Sequence, residues 1–186
     1  MVGNDIVDIA QAKKDSNWQR PRFLDKLFTE KEKEFILKSE DKFIALWQLW
    51  SMKEAAYKLY TQLNPSRFYA PKQFECFVNA SIWKVNYKDF TCYVSTKITT
   101  DYIISEARLV QHKITSEVLV FKNEDLKIQG QILRDKLSKT IGKRRHIQTK
   151  TIEFQKSEFG VPTAHFNSKK INVSLTHHGR FGAFAY

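Results

Sequence analysis

Two carboxylates in this chain stand where hydrophobic residues belong. In the segment 41–63, DKFIALWQLWSMKEAAYKLYTQL, a line at helical spacing runs through Phe43, Trp47, Trp50, Glu54 and Tyr57. Glu54 therefore interrupts an apolar stripe, with Lys58 one turn further on. A carboxylate withdrawn from water is costly unless it finds a cation, a metal or a proton donor. The opening MVGNDIVDI alternates as a strand does and sets Asp5 on the same face as Val7 and Ile9. Two acids on buried faces of separate elements suit a divalent-metal site, because Mg²⁺ is held by one or two carboxylates plus substrate phosphates. The plainer reading makes Glu54 an edge residue or half of an ion pair, and Asp5 a surface residue at a strand's start.

The elements that must position these groups follow from periodicity and punctuation. Residues 1–10 read as a strand, and a polar stretch containing Pro21 leads to a short helix from Thr29. There Thr29-Glu30-Lys31-Glu32 has the form of a capping box. The Trp-rich helix spans about 41–62 and is ended by Asn64-Pro65. After Pro71 the pattern turns β, in QFECFVNA, SIWKVNY, FTCYVST and YIISEARLV, with Val118–Phe121 continuing this sheet. A second helix is predicted over 124–141, its apolar face being Leu126, Ile132, Leu133, Leu137 and Ile141. Gly142 and the run Lys143-Arg144-Arg145-His146 follow it. The remainder is β again: TIEFQK, a turn at Phe159-Gly160-Val161-Pro162, INVSLTH and GAFAY. The order predicts an α+β fold with helices packed on antiparallel sheet.

Composition bounds the partners. The chain has 186 residues, enough for one large domain or two small halves sharing a core. A net charge of +11 points to an anionic partner, which could be nucleic acid, a phosphorylated small molecule, an acidic protein or a membrane surface. The excess is uneven: residues 1–110 hold 17 Lys/Arg against 14 Asp/Glu, and residues 111–186 hold 14 against 6. The acids of the candidate metal site thus lie in the nearly neutral part, and a polyanion bridging both parts meets a metal at one end and basic side chains at the other. Two cysteines, Cys76 and Cys92, form no disulfide framework and point to a reducing compartment. With no signal-peptide pattern and no membrane-length apolar run, a cytoplasmic protein is expected. Neither a P-loop nor a Rossmann glycine fingerprint is present, nor a Cys-x-x-Cys or His-Glu-x-x-His motif.

Three segments carry a resemblance. Gly3-Asn4-Asp5-Ile6-Val7-Asp8-Ile9 is similar to the G-x-D-I/V-V-E-I opening of holo-acyl-carrier-protein synthases. Trp50-Ser51-Met52-Lys53-Glu54-Ala55-Ala56-Tyr57-Lys58 is similar to the W-S/A-x-K-E-A/S-x-x-K signature of the 4′-phosphopantetheinyl transferase superfamily. Val173-Ser174-Leu175-Thr176-His177 resembles that superfamily's V-S-L/I-S/T-H element, and Gly160-Val161-Pro162 the G-K/R-P before it.

The resemblance implies an enzyme that moves 4′-phosphopantetheine from coenzyme A to a serine of an apo acyl or peptidyl carrier protein, releasing 3′,5′-ADP. It assigns Mg²⁺ to Asp5 and Glu54, the coenzyme A phosphates to Lys58, Ser174 and His177, and catalytic roles to Glu54 and Lys58. The base that takes the serine proton is left open between Glu54 and a water on the metal. Val7 stands where larger members carry a second acid, and Asp8 where the family has Glu, with a structural or supporting role expected. Arg20, Arg22 and Lys26 are plausible carrier contacts. The motif order implies two pseudo-symmetric half-domains, 1–110 and 111–186, in permuted order and working as a monomer. A synthase-type trimer subunit with an insertion at about 78–140 is the alternative. The competing functions are a basic nucleic-acid-binding module, which no recognisable RNA- or DNA-binding motif supports, and an inactive family member.

Overall fold

The computed structural model describes residues 1–68, 70–79, 82–123 and 125–186. In chain order it contains β1 (Gly3–Asp8), α1 (Ile9–Asp15), α2 (Phe23–Leu27), α3 (Glu30–Lys38), α4 (Lys42–Leu63), β2 (Glu75–Asn79), β3 (Ile82–Tyr87), β4 (Phe90–Ile98), β5 (Tyr102–Arg108) and β6 (Ser116–Val120). Then come α5 (Leu126–Arg145), β7 (Glu153–Lys156), β8 (Pro162–Phe166), β9 (Lys169–Asn172), β10 (Ser174–His178) and β11 (Phe181–Ala185). The strands form three antiparallel sheets, ordered β1-β5-β4-β3-β2, β10-β11-β6 and β7-β8-β9. Helices packed on antiparallel sheet make this the α+β architecture expected. Among the described residues no strand pairing joins the chain before residue 110 to the chain after it.

The helix α4 anchors the first part. Asp41 caps its start by accepting from the Ile44 N–H, and Asn64 closes its end. Its most deeply buried face is Ala45, Leu46, Leu49, Met52, Ala55, Ala56 and Leu59. The Phe43-Trp47-Trp50 line instead forms a half-buried flank packed on Val7, Ile9, Ala12 and Ile103. Small residues let strand and helix approach closely: a Cβ on Gly3 would lie 1.9 Å from the Ala55 carbonyl oxygen. Thr29 and Glu32 form the expected capping box of α3. The second part has its own core, in which Leu133, Leu137 and Ile141 of α5 meet Phe121, Phe166 and Phe184. A small cluster of Ile6, Ile104, Phe181 and Ala183 joins the two.

Several sequence expectations need correction. The first strand stops at Asp8 because its carboxylate accepts from the Ala10 and Gln11 N–H groups and starts α1, so Ile9 leaves the strand's alternation. Val118–Phe121 does not continue the first sheet, since β6 pairs with β11. INVSLTH is two strands broken at Val173, with β9 pairing to β8 and β10 to β11. The PTAHF strand, β8, was hidden behind the turn signal at Pro162. The helix α5 begins after an Asp125 cap and runs on through Gly142 and Arg145 to a left-handed His146. Leu126 and Ile132, expected on its apolar face, are 64% and 38% exposed. Glu124, where that helix was expected to begin, lies outside the described residues.

β1 and β10 are edge strands of different sheets, and they meet side by side. An edge strand presents unpaired N–H groups. Here the outward N–H groups of Asn4, Ile6 and Asp8 donate to Ser174 Oγ (2.9 Å), Thr176 Oγ1 (3.3 Å) and His178 Nδ1 (2.9 Å). Alternate side chains of β10 thereby replace the missing backbone partner, because period-2 alternation aims 174, 176 and 178 the same way. His178 accepts through Nδ1, which puts its ring proton on Nε2.

Candidate active site

Three of the residues singled out by sequence converge at this seam. Asp5, 8% exposed, accepts at Oδ1 from Lys58 Nζ and from Thr176 Oγ1, both at 3.0 Å. Lys58 also donates to the Asn4 carbonyl at 3.0 Å, and Ser51 Oγ donates to the Asp5 carbonyl at 3.1 Å. Glu54 lies one helical turn before Lys58 on α4. Its carboxyl makes no hydrogen bond and no ion pair among the described residues. Burial, then the nearby Asp5 charge, push it up to about 7, with the Lys58 ammonium pulling the other way. A buried carboxyl whose proton affinity is raised by a neighbouring carboxylate is part of a donor set that suits a hard cation. Among the described residues no group of three or more His, Cys, Asp and Glu gathers anywhere. Two carboxylates suffice as protein ligands for a cation such as Mg²⁺, which keeps waters and substrate oxygens as its other ligands.

Lys58 also belongs to the wall of a cavity of about 260 Å³ between the two parts of the chain. Arg134, Lys156, Ser174 and His177 line it with the Gly160-Val161-Pro162 turn, and no Asp or Glu does among the described residues. The carboxylates lie just outside this lining, and Lys58 touches both regions. Gly160 takes φ +82°, a conformation that glycine adopts freely, and a Cβ there would lie 3.6 Å from the Arg67 guanidinium. His177 makes no hydrogen bond among the described residues. Burial, then the neighbouring Lys58, His178 and Lys156, lower its proton affinity and favour the neutral ring. Ser174, 2% exposed, accepts from the Asn4 N–H and keeps its own proton to donate. A concave wall of cations and donors beside a carboxylate pair is what a polyphosphate with a bound divalent cation requires.

Two residues escaped the sequence reading. Lys53, 1% exposed, is the deeply buried charge of α4: it ion-pairs with Glu32 at 2.7 Å and donates to the Pro71 and Phe74 carbonyls at 3.1 and 2.5 Å. Glu32 in turn accepts from the Thr29 and Cys76 N–H groups. The signal was present, since helical spacing places Lys53 with Leu46, Leu49 and Ala56. Thr176 is the other, and nothing local marks a threonine as the partner of an aspartate 171 residues away. Asp8, 1% exposed, has the structural place expected for it. Burial would raise its carboxyl, but the Arg180 side chain and N–H together with the Gln11 N–H outweigh this and hold it below its usual value.

The match that decides the family covers the site's first half. The family model of the 4′-phosphopantetheinyl transferase superfamily matches residues 1–105. The chain belongs to that superfamily. As a superfamily member it has its Asp5, Glu54 and Lys58 within the matched segment, whereas Ser174, Thr176 and His177 lie beyond it. It is also similar to the holo-acyl-carrier-protein synthase of Caldanaerobacter subterraneus subsp. tengcongensis, with 40% identity over 58 residues. That alignment covers 31% of this chain and 45% of the relative, so it spans less than half of the relative's length. No helix among the described residues is long and apolar enough to cross a membrane.

Proposed function

We propose that this protein transfers the 4′-phosphopantetheine group of coenzyme A to a serine of an apo acyl or peptidyl carrier protein, in a Mg²⁺-dependent reaction that releases 3′,5′-ADP. The observation that carries this reading is the Asp5–Glu54 carboxylate pair, joined through Lys58 to a cavity lined by Arg134, Lys156 and His177. Asp5 and Glu54 are the residues that would hold Mg²⁺. The ion supplies charge neutralisation at the phosphate oxygens when bound. Lys58, with Arg134 and Lys156, offers further positive charge to the phosphates, and Ser174 and neutral His177 offer hydrogen bonds. In the transfer, the carrier serine oxygen bonds to the phosphorus next to pantetheine as the bridging P–O bond breaks, and 3′,5′-ADP leaves with the bridging oxygen. The serine proton needs an acceptor; Glu54 is this chain's own carboxyl beside the site, and the choice of base stays open.

The finer architectural reading belongs with this function. Sheets that segregate at residue 110 support two half-domains, whose permuted order rests on the motif order alone, and Asp5, Lys58, Thr176 and His177 meeting within one chain support a working monomer. Two free, buried cysteines accord with a cytoplasmic setting. The test is mass spectrometry of an apo carrier protein incubated with this protein, coenzyme A and Mg²⁺. A gain of one phosphopantetheine group, abolished in Asp5→Ala and Glu54→Ala, is expected. No gain across carrier proteins of fatty-acid, polyketide and peptide synthesis would refute the reading.

A further inference from the structure

We propose that Thr176 is a positioning residue for the metal-binding carboxylate, its hydroxyl fixing which oxygen of Asp5 stays free for a divalent cation. The proposal rests on the Mg²⁺ reading above and goes beyond it by adding a residue from the far half of the chain. Of the three β10 side chains that cap the edge of β1, only Thr176 also reaches a carboxylate. A hydroxyl has one proton and two lone pairs. The Ile6 N–H donates into the Thr176 oxygen at 3.3 Å, so the hydroxyl's single proton is left for Asp5 Oδ1 at 3.0 Å.

Oδ1 receives Lys58 Nζ as well, and among the described residues Oδ2 receives no donor. Rotation of a terminal carboxylate is otherwise broad. Two donors converging on one oxygen therefore select an orientation and leave the other oxygen's lone pairs exposed, as a metal ligand needs. Lys58 alone is a poor clamp, because its ammonium ends a flexible four-carbon stem and is 29% exposed. Thr176 is β-branched, 6% exposed and set in a strand, so its hydroxyl direction is fixed by packing. Outer hydrogen bonds of this kind orient ligating carboxylates in metal sites.

The test measures Mn²⁺ binding to the whole protein by electron paramagnetic resonance of the free ion, without coenzyme A or carrier. Thr176→Val should weaken Mn²⁺ binding about 10- to 100-fold. Thr176→Ser, which keeps the hydroxyl, should bind as wild type does. His178→Ala removes another seam bond without touching Asp5, so it should lower the melting temperature and leave Mn²⁺ affinity unchanged. Wild-type affinity in Thr176→Val overturns the proposal. So does an equal loss in Thr176→Ser or in His178→Ala, since packing of the seam would then be the cause.

Should the valine variant not fold, Mg²⁺ titration of the ¹⁵N-labelled wild type decides. The Ile6 and Thr176 amide signals should shift with the metal, and unmoved signals overturn the proposal. Failure of the functional reading looks different: the wild type then binds Mn²⁺, with Thr176→Val weakened, yet modifies no carrier protein.

Discussion

Replacing Lys53 by methionine should be among the most destabilising single changes in the chain. The substitution preserves the length and apolar body of the side chain, so it tests the ammonium and not the packing. Lys53 is 1% exposed and Glu32 2%, so neither charge has water to turn to. The ammonium serves three acceptors: Glu32, the Pro71 carbonyl and the Phe74 carbonyl. Breaking a buried pair from one side leaves an uncompensated charge and costs about 3–5 kcal/mol. The two carbonyls lose their donor as well, but these losses are not additive, and about 4 kcal/mol is the expected total. For a chain of this size that lowers the melting temperature by about 8–16 °C. Urea unfolding followed by tryptophan fluorescence reads the change, because Trp47 and Trp50 lie on the same helix. The double variant Lys53→Met/Glu32→Gln, which buries no charge, should be more stable than Lys53→Met alone. A cost under about 1 kcal/mol, or a double variant less stable than the single, would refute the reasoning.

Four further outcomes are expected. Glu54 is pushed up to about 7 from an ordinary 4.5, so without metal the folded state holds the proton more tightly. Stability is then lost as pH rises between those values, and Glu54→Gln should remove a penalty on the order of 3 kcal/mol at pH 8 in EDTA while matching wild type near pH 4.5; superimposable wild-type and variant stability–pH curves would contradict this. Gly3→Ala drives a methyl group against the Ala55 carbonyl and should cost about 3 kcal/mol or more in chemical unfolding, whereas a neutral result would mean that β1 can withdraw from α4. Lys58→Ala and His177→Ala should each lose about 1–3 kcal/mol of transition-state binding for coenzyme A, and unchanged kinetics with coenzyme A in both would exclude them from the phosphate site. Mixing Glu54→Ala with His177→Ala should restore no transfer activity if each chain closes its own site, and recovered activity would point to sites shared between subunits.

What could be read from the sequence was local. Asp41 and Asn64 bound α4, Thr29 with Glu32 starts α3, and Asp5, Glu54 and Lys58 stand out because charge interrupts apolar periodicity. What could not be read was set by distant partners. Lys53 is more deeply buried than Glu54, but its partner Glu32 sits on another helix, so helical spacing alone does not disclose the pair. The break of INVSLTH at Val173 depends on which sheet claims each end, and β9 and β10 are claimed by different ones. Asp8 reads as one more strand residue until the turn it caps is seen, since a cap is legible only when the following residues are known to be helical. Thr176 stands in the V-S-L/I-S/T-H element, but nothing there marks it as the partner of Asp5.

The separation of 171 residues between Asp5 and Thr176 gives the site a place in time as well as in space. Contacts so far apart along the chain close the largest loops and carry the highest closure cost. Residues 3–108 form a sheet of their own around α4, so Asp5 and Glu54 both belong to the first part of the chain. The hydroxyl that orients Asp5 and the wall that carries His177 arrive only when β10 docks along β1. A partly folded chain therefore holds the carboxylates unclamped and without a facing cavity. On the reading proposed above, full cation affinity requires that β10 has docked along β1.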